Sequence, residues 1–197
     1  MNIFLQGPSG IGKSTILREA LAPFIAITAG FAVQRLTEES GETAFRAVCF
    51  EGSFPPLEAA YRPGLNGVFV APGRKLNVTA LEEVILQVGQ QTQQHSHKLI
   101  LLDEIGGVEL ASPIFAGALE RLLSCGKPCF GVFKSRENFE RTTRNLSLPT
   151  GYAELHRQFE AMILSDGEIV TLTEQNRTET LARLKEAVAG VVAGRSD

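Results

Sequence analysis

The chain predicts an α/β fold, a three-layer sandwich around a mostly parallel central sheet, on three observations. Short runs of consecutive apolar residues, NIFLQ at 2–6, LILL at 99–102 and CFGVF at 129–133, read as strands buried on both faces. Stretches with apolar residues at helical spacing lie between them, so strands and helices alternate along the chain. The first strand runs directly into a glycine-rich turn and then a helix. A length of 197 residues predicts one domain over 1–197.

Taken in order, Asn2 to Gln6 is the first strand. Ile16, Leu17, Ala20 and Leu21 then repeat at helical spacing until Pro23 ends the helix. From Phe31 to Phe50, apolar residues flank the polar stretch TEESGET, the pattern of a β-hairpin inserted over about 30–52. Gly52 to Arg74 is rich in Pro and Gly, which predicts loops with one short strand near Val68 to Val70. Thr79 and Glu82 have the spacing of a capping box, and Leu81, Val84, Ile85 and Val88 line one face of the helix that follows. Its end, QQTQQHSH, reads as polar and exposed, with His95 and His97 solvated. Beyond the LILL strand, Ser112 and Pro113 open a helix as cap and first residue, and Gly126 closes it. EIVTLT forms a late strand, and ETLARLKEAVAGVV a helix with Leu181, Leu184, Val188 and Val191 inward.

Composition narrows the function. A net charge of −3 gives no surface for coating nucleic acid. The longest apolar run, Phe24 to Val33, is about half of what a bilayer crossing needs, so no membrane partner is expected. Cys49, Cys125 and Cys129 lack zinc-site spacing and read as reduced thiols. With a glycine-rich loop beginning at Gly7 in place of a signal-peptide layout, a cytoplasmic location is expected. His156 reads as a surface residue, and no Ser/His/Asp or Cys/His set stands out.

The chemistry is concentrated in two motifs. Gly7-Pro8-Ser9-Gly10-Ile11-Gly12-Lys13-Ser14, followed by Thr15, matches the phosphate-binding P-loop G-x-x-x-x-G-K-[ST] in full. Typical residue frequencies give roughly a one-in-a-hundred chance of such a match in a chain this long. Glycines let successive backbone N–H groups turn toward phosphate oxygens, and the helix N-terminus adds its dipole. Lys13 is placed to reach the β- and γ-phosphates of ATP or GTP, and the Ser14 hydroxyl to ligate Mg²⁺. At the end of the LILL strand, Asp103 is placed to hold the same Mg²⁺ and Glu104 to accept a proton from water.

Arg136, Arg141 and Arg144, with Lys134 before them, are candidates for a charge-stabilising lid, against the plainer reading of a solvated helix face. Asn176 and Arg177 either cap the last helix or touch the nucleotide, and capping suits the spacing better.

With these residues placed, the chain resembles the THEP1-type nucleoside triphosphatases. LLDEIGGVELASPIF is similar to that family's D-E-I-G-x-x-E-L-x-S-x-x-F block, and GPSGIGKST to its P-loop. Gly30-Phe31 with Ala44-Phe45, GRKLNV, and the terminal Asn176-Arg177 resemble further blocks, so the likeness runs through nearly the whole chain. It departs at AVQRL, where only Arg35 matches a usual polar stretch, at Leu76 in place of tyrosine and at Ala44 in place of glycine.

The resemblance implies Mg²⁺-dependent hydrolysis of nucleoside triphosphates with loose preference among bases. Gly12, Lys13, Ser14 and Thr15 would contact phosphate and metal, Asp103 and Glu104 would form the acidic pair, and Glu109 would orient parts of the site. Two other readings use the same cradle. A phosphotransferase would need an acceptor pocket, and a nucleotide-responsive module would depend on a protein partner. The absence of an N-K-x-D element argues against a guanine-specific switch.

Overall fold

The structure, a computed structural model, describes residues 1–143 and 151–194. The apolar run Asn2–Gln6 is strand β1, and helix α1 (Lys13–Leu21) follows the glycine turn. Pro23 ends α1 as expected, and the chain continues through a 3₁₀ segment, Ala22–Ile27. The hairpin comprises β2 (Thr28–Thr37) and β3 (Thr43–Cys49). Then come β4 (Glu58–Ala60), β5 (Val68–Ala71), β6 (Lys75–Leu76) and helix α2 (Val78–Thr92). The second half runs β7 (Leu99–Ile105), α3 (Pro113–Leu123), β8 (Cys129–Phe133), α4 (Arg136–Thr143), α5 (Tyr152–Ser165), β9 (Gly167–Thr171) and α6 (Arg177–Val192).

All nine strands join one sheet in the order β6-β5-β3-β2-β7-β8-β1-β9, with β4 pairing beside β2. The stretch from β2 through β7, β8 and β1 to β9 is parallel, so these carboxyl ends share one rim. That rim is where ligands bind in open α/β sheets. The hairpin is antiparallel and continues the sheet outward through β5 and β6.

Alternation along the strands sends side chains to two cores. Phe4, Ile100 and Leu102 meet Ile85, Val88, Phe115, Leu119 and Ile163 from α2, α3 and α5. Ile3, Leu5, Leu99 and Leu101 meet Leu17, Leu21, Leu184 and Val188 from α1 and α6. Each such buried Leu, Ile or Phe contributes roughly 1.5–3 kcal/mol.

Four local readings are corrected. Helix α2 is capped by Asn77, whose side chain accepts from the Ala80 N–H at 3.4 Å, not by Thr79. Glu82 takes a hydrogen bond from the Ser112 hydroxyl, which also caps α3 as expected. Gln91, in the stretch read as exposed, is buried, because its amide accepts from Gly30 N and donates to Phe50 O. His156 is buried at 2% exposure, between the rings of Phe133 and Phe139. Asn176 precedes α6 without a side-chain cap bond; its amide accepts from Thr173 N and donates to Thr171 O, holding the turn instead.

Candidate active site

The site is built where β1, β7 and β8 end together. Gly12 is the hinge of the loop: at φ 95° it adopts the left-handed conformation open to glycine, and α1 starts at the next residue. The N–H groups of α1's first turn thus open toward the rim. Lys13 folds its ammonium back over the loop, donating to Gly7 O at 2.9 Å and Pro8 O at 2.8 Å. Burial lowers its pKa, while Glu104 and Asp103 oppose that shift and Lys134 adds to it.

Asp103 and Glu104 follow four buried apolar residues of β7 and differ sharply in environment. Asp103 is buried; its Oδ1 accepts from Ser14 Oγ at 2.8 Å, and its Oδ2 has no hydrogen-bond partner among the described residues. Burial pushes its carboxyl up to about 6, against the favourable Ser14 hydrogen bond and Arg18 charge. Glu104 is 38% exposed and lies 3.7 Å from Lys134 Nζ. One acid is sequestered beside a hydroxyl, and the other faces water. That division suits a metal-holding acid and a proton acceptor.

Arg18, which sequence reasoning passed over, and Lys134, which it grouped with the lid arginines, complete the surroundings. Arg18, on α1, is buried, with Nη2 3.9 Å from Asp103 Oδ2. It donates to Pro55 O and Val33 O and stacks 5.8 Å over the Phe54 ring, so it fastens the phosphate-loop helix to the segment after the hairpin. Lys134 is the residue after β8, with its ammonium 3.7 Å from Glu104 Oε1. A charged residue on the buried stripe with Leu17 and Leu21 was the available signal for Arg18.

Helix α5 was not foreseen, although Tyr152, His156, Phe159 and Ile163 fall at helical intervals. It supports the site from below. The Tyr152 hydroxyl donates to Gly107 O, and His156 Nε2 donates to Lys134 O at 2.9 Å.

Of the lid arginines, the two among the described residues do not converge on the loop. Arg136 pairs with Glu140, and Arg141 donates to Asn138 Oδ1. Arg144 lies outside the described residues. From the same helix it is Asn138 that reaches the loop, donating to Gly7 O at 3.2 Å. Arg35 is exposed on β2, its main chain bonded to Leu57. Arg177 does approach: a Cβ on Gly12 would sit 2.9 Å from its guanidinium carbon. Ala44 and Leu76, the two departures in the hairpin region, lie on β3 and on β6 at the sheet's far edge.

Comparison with known proteins adds to this geometry. The family model described as NTPase matches residues 2–185. The cancer-related nucleoside-triphosphatase homolog of Mus musculus is 27% identical over 182 residues, covering 75% of this chain and 93% of its own. Nucleoside-triphosphatase THEP1 of Thermotoga sp. (strain RQ2) is 25% identical, covering 91% of this chain and 99% of its own. The crystal structure of THEP1 from Aquifex aeolicus superposes with a TM-score of 0.62 at 20% identity, covering 95% of this chain and 98% of that one. At that identity the superposition speaks to the fold alone.

Proposed function

The chain belongs to the NTPase family, and we propose that it hydrolyses nucleoside triphosphates such as ATP and GTP to the diphosphate and phosphate, with Mg²⁺ as cofactor and Glu104 as the base. The observation that carries this reading is the split between Asp103, buried with Oδ1 on Ser14 Oγ and Oδ2 without a hydrogen bond among the described residues, and the partly exposed neighbouring carboxylate of Glu104.

Residues Gly7 to Thr15 cradle the phosphates, with backbone N–H groups turned to their oxygens and Lys13 leaving its own loop carbonyls for the β- and γ-phosphates. Ser14 and Asp103 suit Mg²⁺, a hard cation that takes oxygen donors and keeps several waters. Held by Ser14 and Asp103, the ion would supply positive charge against that developing on the phosphates. Glu104 orients a water in line with the γ-phosphorus and takes its proton. The water oxygen bonds to phosphorus, the bond to the bridging oxygen breaks, and the diphosphate leaves with that electron pair. Proton acceptance of this kind contributes typically about 10²–10⁴-fold. Asn176 holds the turn before Arg177, whose guanidinium lies against Gly12 and would flank a nucleotide on the loop.

The test is phosphate release from ATP, GTP, CTP and UTP with Mg²⁺ and no acceptor. Release from several bases is the expected result. Tight binding without release, or release only when a second substrate is supplied, would overturn hydrolysis in favour of phosphoryl transfer.

A further inference from the structure

Lys134 is not an ordinary surface lysine. Its side chain is only 19% exposed, and both polar groups of its main chain are fixed, N–H donating to Ile105 O at 2.8 Å and carbonyl accepting from His156 Nε2 at 2.9 Å. The side chain runs over Gly107. A Cβ there would sit 2.9 Å from Lys134 Nζ and 2.9 Å from Glu109 Oε2, so ammonium and carboxylate both lie against the bare Cα of Gly107. Glu109 is itself buried, with Oε1 accepting from Gly107 N at 2.6 Å. A buried carboxylate needs a counter-charge, and Lys134 is the cation that opposes the effect of its burial. The ammonium thus faces the Glu109 carboxylate across Gly107 without a direct ion pair, and lies 3.7 Å from Glu104 Oε1 on the other side.

We propose that Lys134 is a positioning residue: with its main chain fixed and its side chain packed over Gly107 in the field of Glu109, its ammonium fixes the orientation of Glu104 at the phosphate rim. The inference rests on Glu104 being the base. A glutamate at the end of a strand has three side-chain torsions, and a base misplaced by about 1 Å can lose 10²-fold in rate. At 3.7 Å the ion pair orients the carboxylate but is longer than a hydrogen bond, so the Glu104 oxygen stays available to a water proton. A free lysine tip would not do this, because its flexible stem leaves the charge wandering. The fixed backbone and the packing of the stem over Gly107 restrict that freedom.

Steady-state phosphate release distinguishes the roles. Lys134→Met is expected to lower kcat by about 10- to 100-fold with KM within about twofold, and Lys134→Arg to restore most of the loss. Placed in a Glu104→Gln background, Lys134→Met should cost less than about twofold more, since it acts through that side chain. Melting temperature and affinity for the nucleoside diphosphate control for folding and for the cradle.

A full loss that persists in the Glu104→Gln background, or a raised KM at unchanged kcat, would mean that Lys134 touches substrate directly and overturns the inference. So would wild-type turnover in Lys134→Met while Glu104→Gln is inactive. Wild-type turnover in Glu104→Gln alone overturns the base assignment itself, a separate result.

Discussion

The Ser14 hydroxyl donates a 2.8 Å hydrogen bond to Asp103 Oδ1, joining the first turn of α1 to the end of β7 across 89 residues of sequence. The contact ties the phosphate loop to the acidic strand although β8 stands between β1 and β7 in the sheet.

Ser14→Ala removes this bond and, on the proposed reading, an oxygen donor for Mg²⁺. The Mg²⁺ concentration needed for half-maximal phosphate release is expected to rise by at least about tenfold. A Mg²⁺ titration at saturating nucleotide checks it, and an unchanged midpoint would take Ser14 out of the metal site.

Asp103 makes a prediction about pH. Burial raises its carboxyl from 3.8 to about 6, so between those two pH values the metal-free fold holds the neutral acid where the unfolded chain holds the carboxylate. Its contribution to stability is therefore full below pH 4 and lost as pH rises through 6. At 1.36 kcal/mol per unit, the loss is at most about 3 kcal/mol. In EDTA, Asp103→Asn should melt at or above the wild-type temperature at pH 8 and lose that advantage near pH 4. With Mg²⁺ present the wild type should regain the lead, since only the carboxylate holds metal. Thermal melts across pH, with and without Mg²⁺, read all three arms.

Arg18→Met leaves the Pro55 and Val33 carbonyls without their donor and Asp103 without its neighbouring cation. Breaking a buried charge arrangement of this kind costs about 3 kcal/mol or more, visible as a lower urea midpoint. Arg18→Lys should recover little, because one ammonium cannot reproduce the guanidinium's spread of donors. Full recovery by lysine would show that only the charge matters.

Arg177→Ala tests the flank of the loop. Its guanidinium lies against Gly12 and is not needed by either core. Removing one charged contact to a phosphate or base should raise KM by about 3- to 30-fold with little change in melting temperature. A KM equal to wild type would leave Arg177 as a helix-surface residue.

Much of this was legible in the sequence because the parallel strands carry a signal of their own. LILLDE and CFGVF are apolar without alternation, which only a doubly covered sheet tolerates, and GPSGIGKST fixes its own geometry through glycine and lysine at set positions. The failures share a cause: they depend on partners distant along the chain. Thr79 and Glu82 fit a capping box locally, yet Ser112, thirty residues on, claims the Glu82 carboxylate. His156 and Gln91 look like surface residues until the Lys134, Gly30 and Phe50 backbone groups that bond them are known. Arg18 was hidden the same way, since a polar residue on a buried helix face reads as an error of register until its carbonyl partners appear.

The central claim, that Glu104 prepares the attacking water, is tested most directly by single-turnover phosphate release from ATP with Mg²⁺, comparing wild type with Glu104→Gln at saturating enzyme. The glutamine keeps the size of the side chain and removes the proton acceptor. The expected result is nucleotide affinity within about threefold of wild type and a release rate lower by about 10²-fold or more. A variant that binds ATP normally and releases phosphate at the wild-type rate would contradict it.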